Sequence, residues 1–408
     1  MALLPVEEAL RRLLDGVEPL PAEMVALHDA YDRVLAEPVM ARRTQPPFDA
    51  SAMDGYAVRA GDVADVPIRL KVIGSAPAGR SFEGTVGAGE AVRVFTGAPL
   101  PTGADTIVIQ ENVQDLGGGV IEVLEVTAAN RHIRRAGLDF REGDALLDKG
   151  RLLDPAALSL AASANHPHLA VVRRPLVAII ATGDELVAPG ALPGPDQIIS
   201  SNAYGVAAAA ASVGARTLDL GIAPDRRDAI AALVRQAVNT GADVIVTLGG
   251  ASVGDHDLVH DVLTGEGMEL GFWKIAMRPG KPLMFGRLGS IRCIGLPGNP
   301  VASLICAQLF LKPLLARLGG RAFRQDVRQA RLDGALRAND NRQDYIRAAV
   351  RQTDGALVAT PFCIQDSSML RVVSDANGLI VREPHAPEAT TGDLVQVLIL
   401  RDPSAPSS

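Results

Sequence analysis

The chain has 408 residues, of which 48% are apolar and only 3% aromatic, and its formal net charge is −7. That length allows several domains with cores built from Ala, Val, Leu and Ile, and the acidic balance excludes generic nucleic-acid binding, which needs a basic face. Cys293, Cys306 and Cys363 are too few and too scattered for a disulfide frame or a C-x-x-C metal site, and they fit a reducing compartment.

The first segment, "MALLPVEEALRRLLDGV", predicts an amphipathic helix with Leu3, Val6, Leu10, Leu13 and Leu14 on one stripe. Glu7, Glu8 and two arginines interrupt its apolar run, so it does not read as a secretory signal. No run of about 20 apolar residues follows, and the expectation is a soluble, cytoplasmic chain with no membrane partner.

Residues 43–133 are rich in Val, Gly and Pro, with short strands such as "AVRVFTG" and "DTIVIQENV", and predict a mainly β domain. The N-terminal segment 1–42 and residues 134–172, with the helix "DPAALSLAASAN", predict a separate helical or linker element. Residues 173–320 alternate strand, loop and helix. "PLVAIIATG", "ARTLDLGIA", "ADVIVTLGG" and "IRCIGLPGNP" are the strands, and helices follow in "NAYGVAAAAASVG", "DRRDAIAALVRQAVNT" and "VASLICAQLFLKPLLARLGG". Ser200 and Ser201, Asp225, and Asn299 stand at N-cap positions, with Pro300 at the first helical position. This pattern predicts a doubly wound α/β domain that binds its ligand at the carboxyl ends of its strands. Residues 321–408, with "DYIRAAVRQ", "GALVATPF" and "GDLVQVLIL", predict a small C-terminal β domain. The fold class is therefore multidomain α/β.

Four polar clusters fall in loops of the α/β domain: "TGDEL" at Thr182–Leu186, "PDRRD" at Asp225, "TLGGASVGDHD" at Thr247–Asp257, and "MRPGKP" at Met277–Pro282. Gly249 and Gly254 have the spacing of a phosphate-cradling P-loop, but Asp255 and His256 stand where that motif has Lys and Ser or Thr. Asp184, Glu185, Asp225, Asp255 and Asp257 form a hard-oxygen donor set suited to Mg²⁺. Glycine-loop amides with Lys274, Arg278 and Lys281 suit an oxyanion. The competing reading is that any α/β domain carries charges in its loops. His256 and His260 have the spacing of a zinc pair on a helix, though no third ligand accompanies them and a solvated helix face is the better reading. No G-x-S-x-G elbow supports covalent hydrolase chemistry. In the β domain, "PPFDASAMDGYAVRAGD" reads either as turn-rich β structure or as part of a site.

The ordered segments "FDASAMDGYAVRAGD", "RVFTGAPLPTGAD", "IRRAGLDFREGD", "ATGDEL", "LGGASVGDHD", "MRPGKP" and "LPGNPVAS" resemble those of molybdopterin molybdenumtransferases, the bacterial MoeA proteins and the C-terminal domain of gephyrin. The resemblance covers essentially the whole chain. It implies insertion of molybdate into adenylated molybdopterin with release of AMP, dependence on Mg²⁺, and an elongated homodimer whose cleft lies between the α/β domain and the β domain of the other subunit. It also implies contact with the adenylyltransferase or with acceptor molybdoenzymes. By resemblance, Glu185, Asp225, Asp255 and Asp257 hold the metal. Thr182, Gly183, Asp184, Gly249, Gly250, Ser252, Gly254, Asn299 and Pro300 bind substrate. Lys274, Arg278, Lys281, Pro282 and Ser303 form the molybdate cradle, helped by Arg347 and Ser367. Asp54, Thr96 and Asp139 face the site from the partner chain. Three departures accompany the likeness: Arg278 where the family usually has Lys, Leu138 where it usually has Glu, and Ala302 where it usually has Ser. The rival readings are a molybdopterin adenylyltransferase and a non-catalytic cofactor-binding scaffold.

Overall fold

The computed structural model describes residues 3–249 and 258–403. The chain divides into two compact units, one formed by residues 24–31 and 35–171 and the other by residues 1–23, 32–34 and 172–408.

The first of these units is built on a six-stranded sheet in the order Thr106–Ile109, Gly55–Val58, Glu90–Val94, Ile68–Ala76, Val120–Val123, Val113–Gly117. All its pairings are antiparallel except that between Ile68–Ala76 and Glu90–Val94. Successive strand residues face opposite sides. Ala57, Val92 and Ile107 therefore enter one apolar cluster, while Val58, Ala91 and Val108 enter the other. A third cluster gathers around the helix Pro155–Ser163, through Ala157 and Ala161 against Leu35, Val39 and Val171. That helix starts as the sequence suggests: Pro155 occupies its first turn and the Asp154 carboxylate accepts the Ala157 N–H at 2.8 Å.

The second unit holds the α/β layer. Its sheet runs Arg216–Ala223, Leu176–Thr182, Val244–Leu248, Ile291–Leu296, Met284–Leu288, Glu269–Trp273. The first four are parallel, the inner three of them buried, and the last two close one edge as antiparallel strands. The edge strands lack a clear apolar alternation, and the sequence reading did not identify them. Val177, Ile179 and Ala181 face the helices Asn202–Ala211 and Pro300–Leu318, whereas Ala178 and Ile180 face Arg227–Asn239 and Leu258–Gly265.

The N-terminal helix spans Val6–Leu14 and buries Val6, Ala9 and Leu13. It joins the same core as the α/β layer, not a separate helical element. Its predicted stripe was the right face; what it covers depends on tertiary structure. Among the described residues one helical run, Pro300–Leu318, is long and apolar enough to cross a membrane, and 78% of its apolar window lies buried inside the fold. A π-turn at Ala307–Leu311 precedes Pro313, which supplies no N–H and would clash with a regular α-helical carbonyl.

The C-terminal β part is a closed barrel. Gln343–Thr353, Ala356–Pro361, Val327–Leu332, Leu394–Ile399 and Gly378–Arg382 pair in turn, and the last pairs back to the first. The two-residue strand Met277–Arg278 adds to this sheet by pairing in parallel with Gln343–Asp344. Closure leaves the barrel without free edges. Its Tyr345, Leu379 and Leu398 enter the α/β core, so the two parts share one apolar interior.

Candidate active site

A cleft of about 610 Å³ opens at the carboxyl ends of the parallel strands. Its floor is Thr182 and Gly183 after one strand, Leu248 and Gly249 after the next, and Pro297 and Gly298 after a third. Glu185 and Asp225 line one side, Asn299, Pro300 and Ser368 another, and Leu186, Ile198 and Ile199 form an apolar wall. The glycines are required by close approach. Gly249 has φ +92°, and a Cβ there would sit 2.8 Å from the Thr182 carbonyl oxygen. A Cβ at Gly183 would lie 2.4 Å from Glu185 Oε2, because the Glu185 carboxylate folds over this turn.

The predicted caps are not made. The helices Asn202–Ala211, Arg227–Asn239 and Pro300–Cys306 have no side-chain cap bond at their N-termini. Asn299 instead donates its amide to Ser367 Oγ at 2.9 Å, and Asn202 donates to the Gly298 carbonyl at 2.7 Å. Asp225 precedes its helix by two residues, and its backbone N–H donates to Asp184 Oδ1 at 3.0 Å. Helix starts without side-chain caps leave backbone N–H groups available to an anion, except at Pro300, which has no N–H, and Val301, whose N–H the Ser367 carbonyl accepts. The acidic side is strained in the opposite sense. Burial, then the neighbouring charges of Asp184 and Glu185, hold the Asp225 carboxyl above its ordinary value. A divalent cation would relieve that repulsion, although Asp184, Glu185 and Asp225 do not by themselves form a group of three placed to hold one.

A second, basic cleft of about 230 Å³ lies where "MRPGKP" meets the barrel, lined by Arg278, Arg337, Asn339, Asp344, Arg347 and Arg382 among others. Arg347 is only 1% exposed and Arg382 8%, yet the Nε of each has no hydrogen-bond partner. The Arg347 guanidinium donates one bond, Nη2 to the Asp366 carbonyl at 3.0 Å, and burial pushes it below the ordinary arginine value. The two carboxylates nearby are already engaged: Asp344 by Arg278, and Asp340 by Arg342 at 2.6 Å. Arg337, Arg347 and Arg382 have no ion pair among the described residues.

The segment Gln365–Ser368 separates the two clefts. Gln365 lines the basic one and pins Arg347 by accepting its N–H at 2.9 Å, while Ser368 lines the acidic one. Ser367, between them, accepts the Asn299 amide and, through its carbonyl, the Val301 N–H at 3.1 Å.

The structure brings Thr182, Gly183, Glu185, Asp225, Gly249, Pro282, Asn299 and Pro300 to one cleft and Arg278 and Arg347 to the other. Lys274 lines neither; it has φ +75° and holds its ammonium 5.1 Å from the Trp273 ring centre. Lys281 also lines neither. Ser303 is wholly buried and its hydroxyl has no partner. Gly250, Ser252, Gly254, Asp255, His256 and Asp257 lie outside the described residues. His260, the other half of the zinc-like pair, stacks on Trp273 with ring centres 4.9 Å apart. Among the described residues no group of three His, Cys, Asp or Glu side chains is placed to hold a metal. In the other compact unit, Asp54 Oδ1 accepts both the N–H and the hydroxyl of Thr96, at 2.7 and 2.8 Å, which holds its carboxyl below the ordinary value. Asp139 is fixed through its backbone N–H to the Gln45 carbonyl at 3.0 Å, and Leu138 beside it is 66% exposed. Arg337, Arg382, Gln365 and Asn202 were missed, since each stands in the sequence without a motif around it.

A nucleotide-sized cleft at the strand ends of a parallel sheet, beside a barrel whose buried arginines have no ion pair among the described residues, defines a multidomain enzyme for anionic substrates. Family models agree along the chain: the MoeA N-terminal region (domains I and II) matches residues 4–165, a probable molybdopterin-binding domain residues 178–317, and the MoeA C-terminal region (domain IV) residues 329–400. A molybdopterin molybdenumtransferase of Bacillus subtilis is 35% identical over 98% of this chain and 94% of its own length. One of Haemophilus influenzae is 37% identical over 78% of each chain. The solved molybdopterin biosynthesis MoeA protein of Pyrococcus horikoshii superposes with a TM-score of 0.83 at 31% identity, covering 98% of this chain and all of that one. The chain belongs to the molybdopterin molybdenumtransferase family.

Proposed function

We propose that this chain transfers molybdate to adenylated molybdopterin, releasing AMP and forming molybdenum cofactor. One observation carries the reading: an acidic, glycine-floored cleft and a basic cleft stand on either side of a single segment, Gln365–Ser368. The first suits a nucleotide-linked phosphate with its cation, and the second a compact oxyanion.

In the acidic cleft, backbone at Gly183, Gly249 and Gly298 can approach the P–O–P bridge. Asp184, Glu185 and Asp225 would hold Mg²⁺, joined by Asp255 and Asp257. When bound, the ion supplies charge neutralisation on the bridging phosphates and eases departure of AMP. Leu186, Ile198 and Ile199 offer an apolar seat for a flat ring. Arg347 and Arg382 retain the oxyanion, and Asn299 and Ser367 tie its wall to that of the nucleotide cleft. No protein nucleophile is required. We further infer a soluble, cytoplasmic homodimer in which Asp54, Thr96 and Asp139 of a second copy complete the cleft.

The deciding experiment incubates purified protein with adenylated molybdopterin and Mg²⁺, with and without molybdate, measuring AMP and active cofactor. Molybdate-dependent AMP release with cofactor formation is expected. AMP release that ignores molybdate and yields no cofactor would reject the insertion reading.

A further inference from the structure

Arg278 belongs to the loop that joins the two clefts, and one edge of its guanidinium is held within the protein. Its two-residue strand pairs in parallel with Gln343–Asp344, which sets Arg278 in register with Asp344. Arg278 Nε donates to Asp344 Oδ1 at 2.8 Å, and Nη2 donates to the other carboxylate oxygen. Nη2 also reaches Asn339 Oδ1 at 3.3 Å, and Nη1 lies 3.6 Å from Asp340 Oδ2. The Nε–Nη2 edge is thus bound within the protein, while Nη1 makes only the longer ion-pair contact. Asp344 is 7% exposed, so its carboxylate depends on this partner for compensation. The bidentate fork is a geometry that only arginine supplies. Arg347 and Arg382, by contrast, carry buried Nε groups with no acceptor.

We propose that Arg278 is a strut and not an oxyanion donor: Asp344 acts as a positioning residue that, through Arg278, fixes the Met277–Pro282 loop against the barrel. The loop's far end places Pro282 in the acidic cleft, so the strut sets the distance between the two substrates. The oxyanion is then held by Arg337, Arg347 and Arg382. This inference rests on the reading of the basic cleft as the oxyanion site.

The test uses the full-length protein and the variants Asp344→Asn, Arg278→Lys, their double, and Arg382→Gln. Molybdate affinity is measured by calorimetry and molybdate-dependent AMP release by turnover. Asp344→Asn and Arg278→Lys are each expected to lower turnover about tenfold while molybdate affinity stays within about threefold of wild type. The double variant should lose no more than either single, the mark of one coupled unit. If Arg278 were a donor restrained by Asp344, Asp344→Asn would free its fork and tighten molybdate binding about tenfold; that result overturns the proposal, as do losses that multiply in the double variant. Should Asp344→Asn fail to fold, Arg278→Lys decides alone: wild-type turnover rejects the strut. Arg382→Gln separates the underlying reading. If it binds molybdate as wild type does, the basic cleft is not the oxyanion site, whatever the coupling between Arg278 and Asp344 shows.

Discussion

Replacing Arg347 by Met should leave the protein as stable as before and abolish tight oxyanion binding. Arg347 is a long cation buried to 1% exposure whose side chain makes one protein hydrogen bond, to the Asp366 carbonyl. Losing a hydrogen bond from a charged donor costs about 1.5–3 kcal/mol, while removing an unsatisfied buried donor, here Nε, returns about 1–3 kcal/mol. Methionine has a comparable unbranched stem and fills irregular space. The two contributions nearly cancel, so the expected change in unfolding free energy is within about 1 kcal/mol of zero, as for other buried charges replaced by apolar side chains. A site that binds anions loses far more: one charge-assisted contact removed weakens binding by roughly 10–100-fold. Urea denaturation and molybdate calorimetry on the same preparations check both halves. Destabilisation beyond about 3 kcal/mol would show that Arg347 is structural, and unchanged molybdate affinity would show that its orphaned Nε does not face the oxyanion.

Three further outcomes follow from the same geometry. Gly249→Ala, at φ +92° and with its new Cβ 2.8 Å from a backbone oxygen, should destabilise by about 1–3 kcal/mol and lower turnover, read by thermal melting and AMP release. Asp225→Asn should raise the melting temperature at about pH 7 but not near pH 3.5, and abolish turnover; the folded carboxyl titrates above its unfolded value, so its favourable contribution is complete below about 3.9 and is lost as pH rises through the raised value. An equal gain at both pH values would refute that origin. Ser303→Ala removes a buried hydroxyl without a partner, so a stability gain of about 1 kcal/mol with unchanged molybdate affinity is expected, and a tenfold affinity loss would place that hydroxyl on the oxyanion after all.

What the sequence could disclose followed from its periodicity. The run at residues 176–181 is apolar on every residue because Leu176–Thr182 is flanked by other strands and covered on both faces, and such runs announce a buried parallel strand. The stripe through Val6 and Leu13 was equally plain, since one face of that helix is buried. Its partner was not, because a stripe says that a face is covered and not by what. Barrel closure was hidden for a related reason: pairing Gly378–Arg382 with the strand at Gln343 depends on long-range register, which no local pattern encodes.

The cap positions are where local rules and function conflict. Asn299 has the residue type and position of a cap, yet its amide goes to Ser367, and Asp225 stands two residues ahead of its helix beside Asp184. A side chain that capped its own helix would consume the N–H groups an anion needs. The failed caps therefore mark the cleft more sharply than the glycines do, because a glycine turn is common and an uncapped helix start beside a suitable capping residue is not. Arg382 shows the converse. Nothing adjacent to it in sequence signals a site; Nη2 donates to the Pro387 carbonyl, and its meaning comes from a buried Nε left without an acceptor, a property that exists only once the barrel has closed around it.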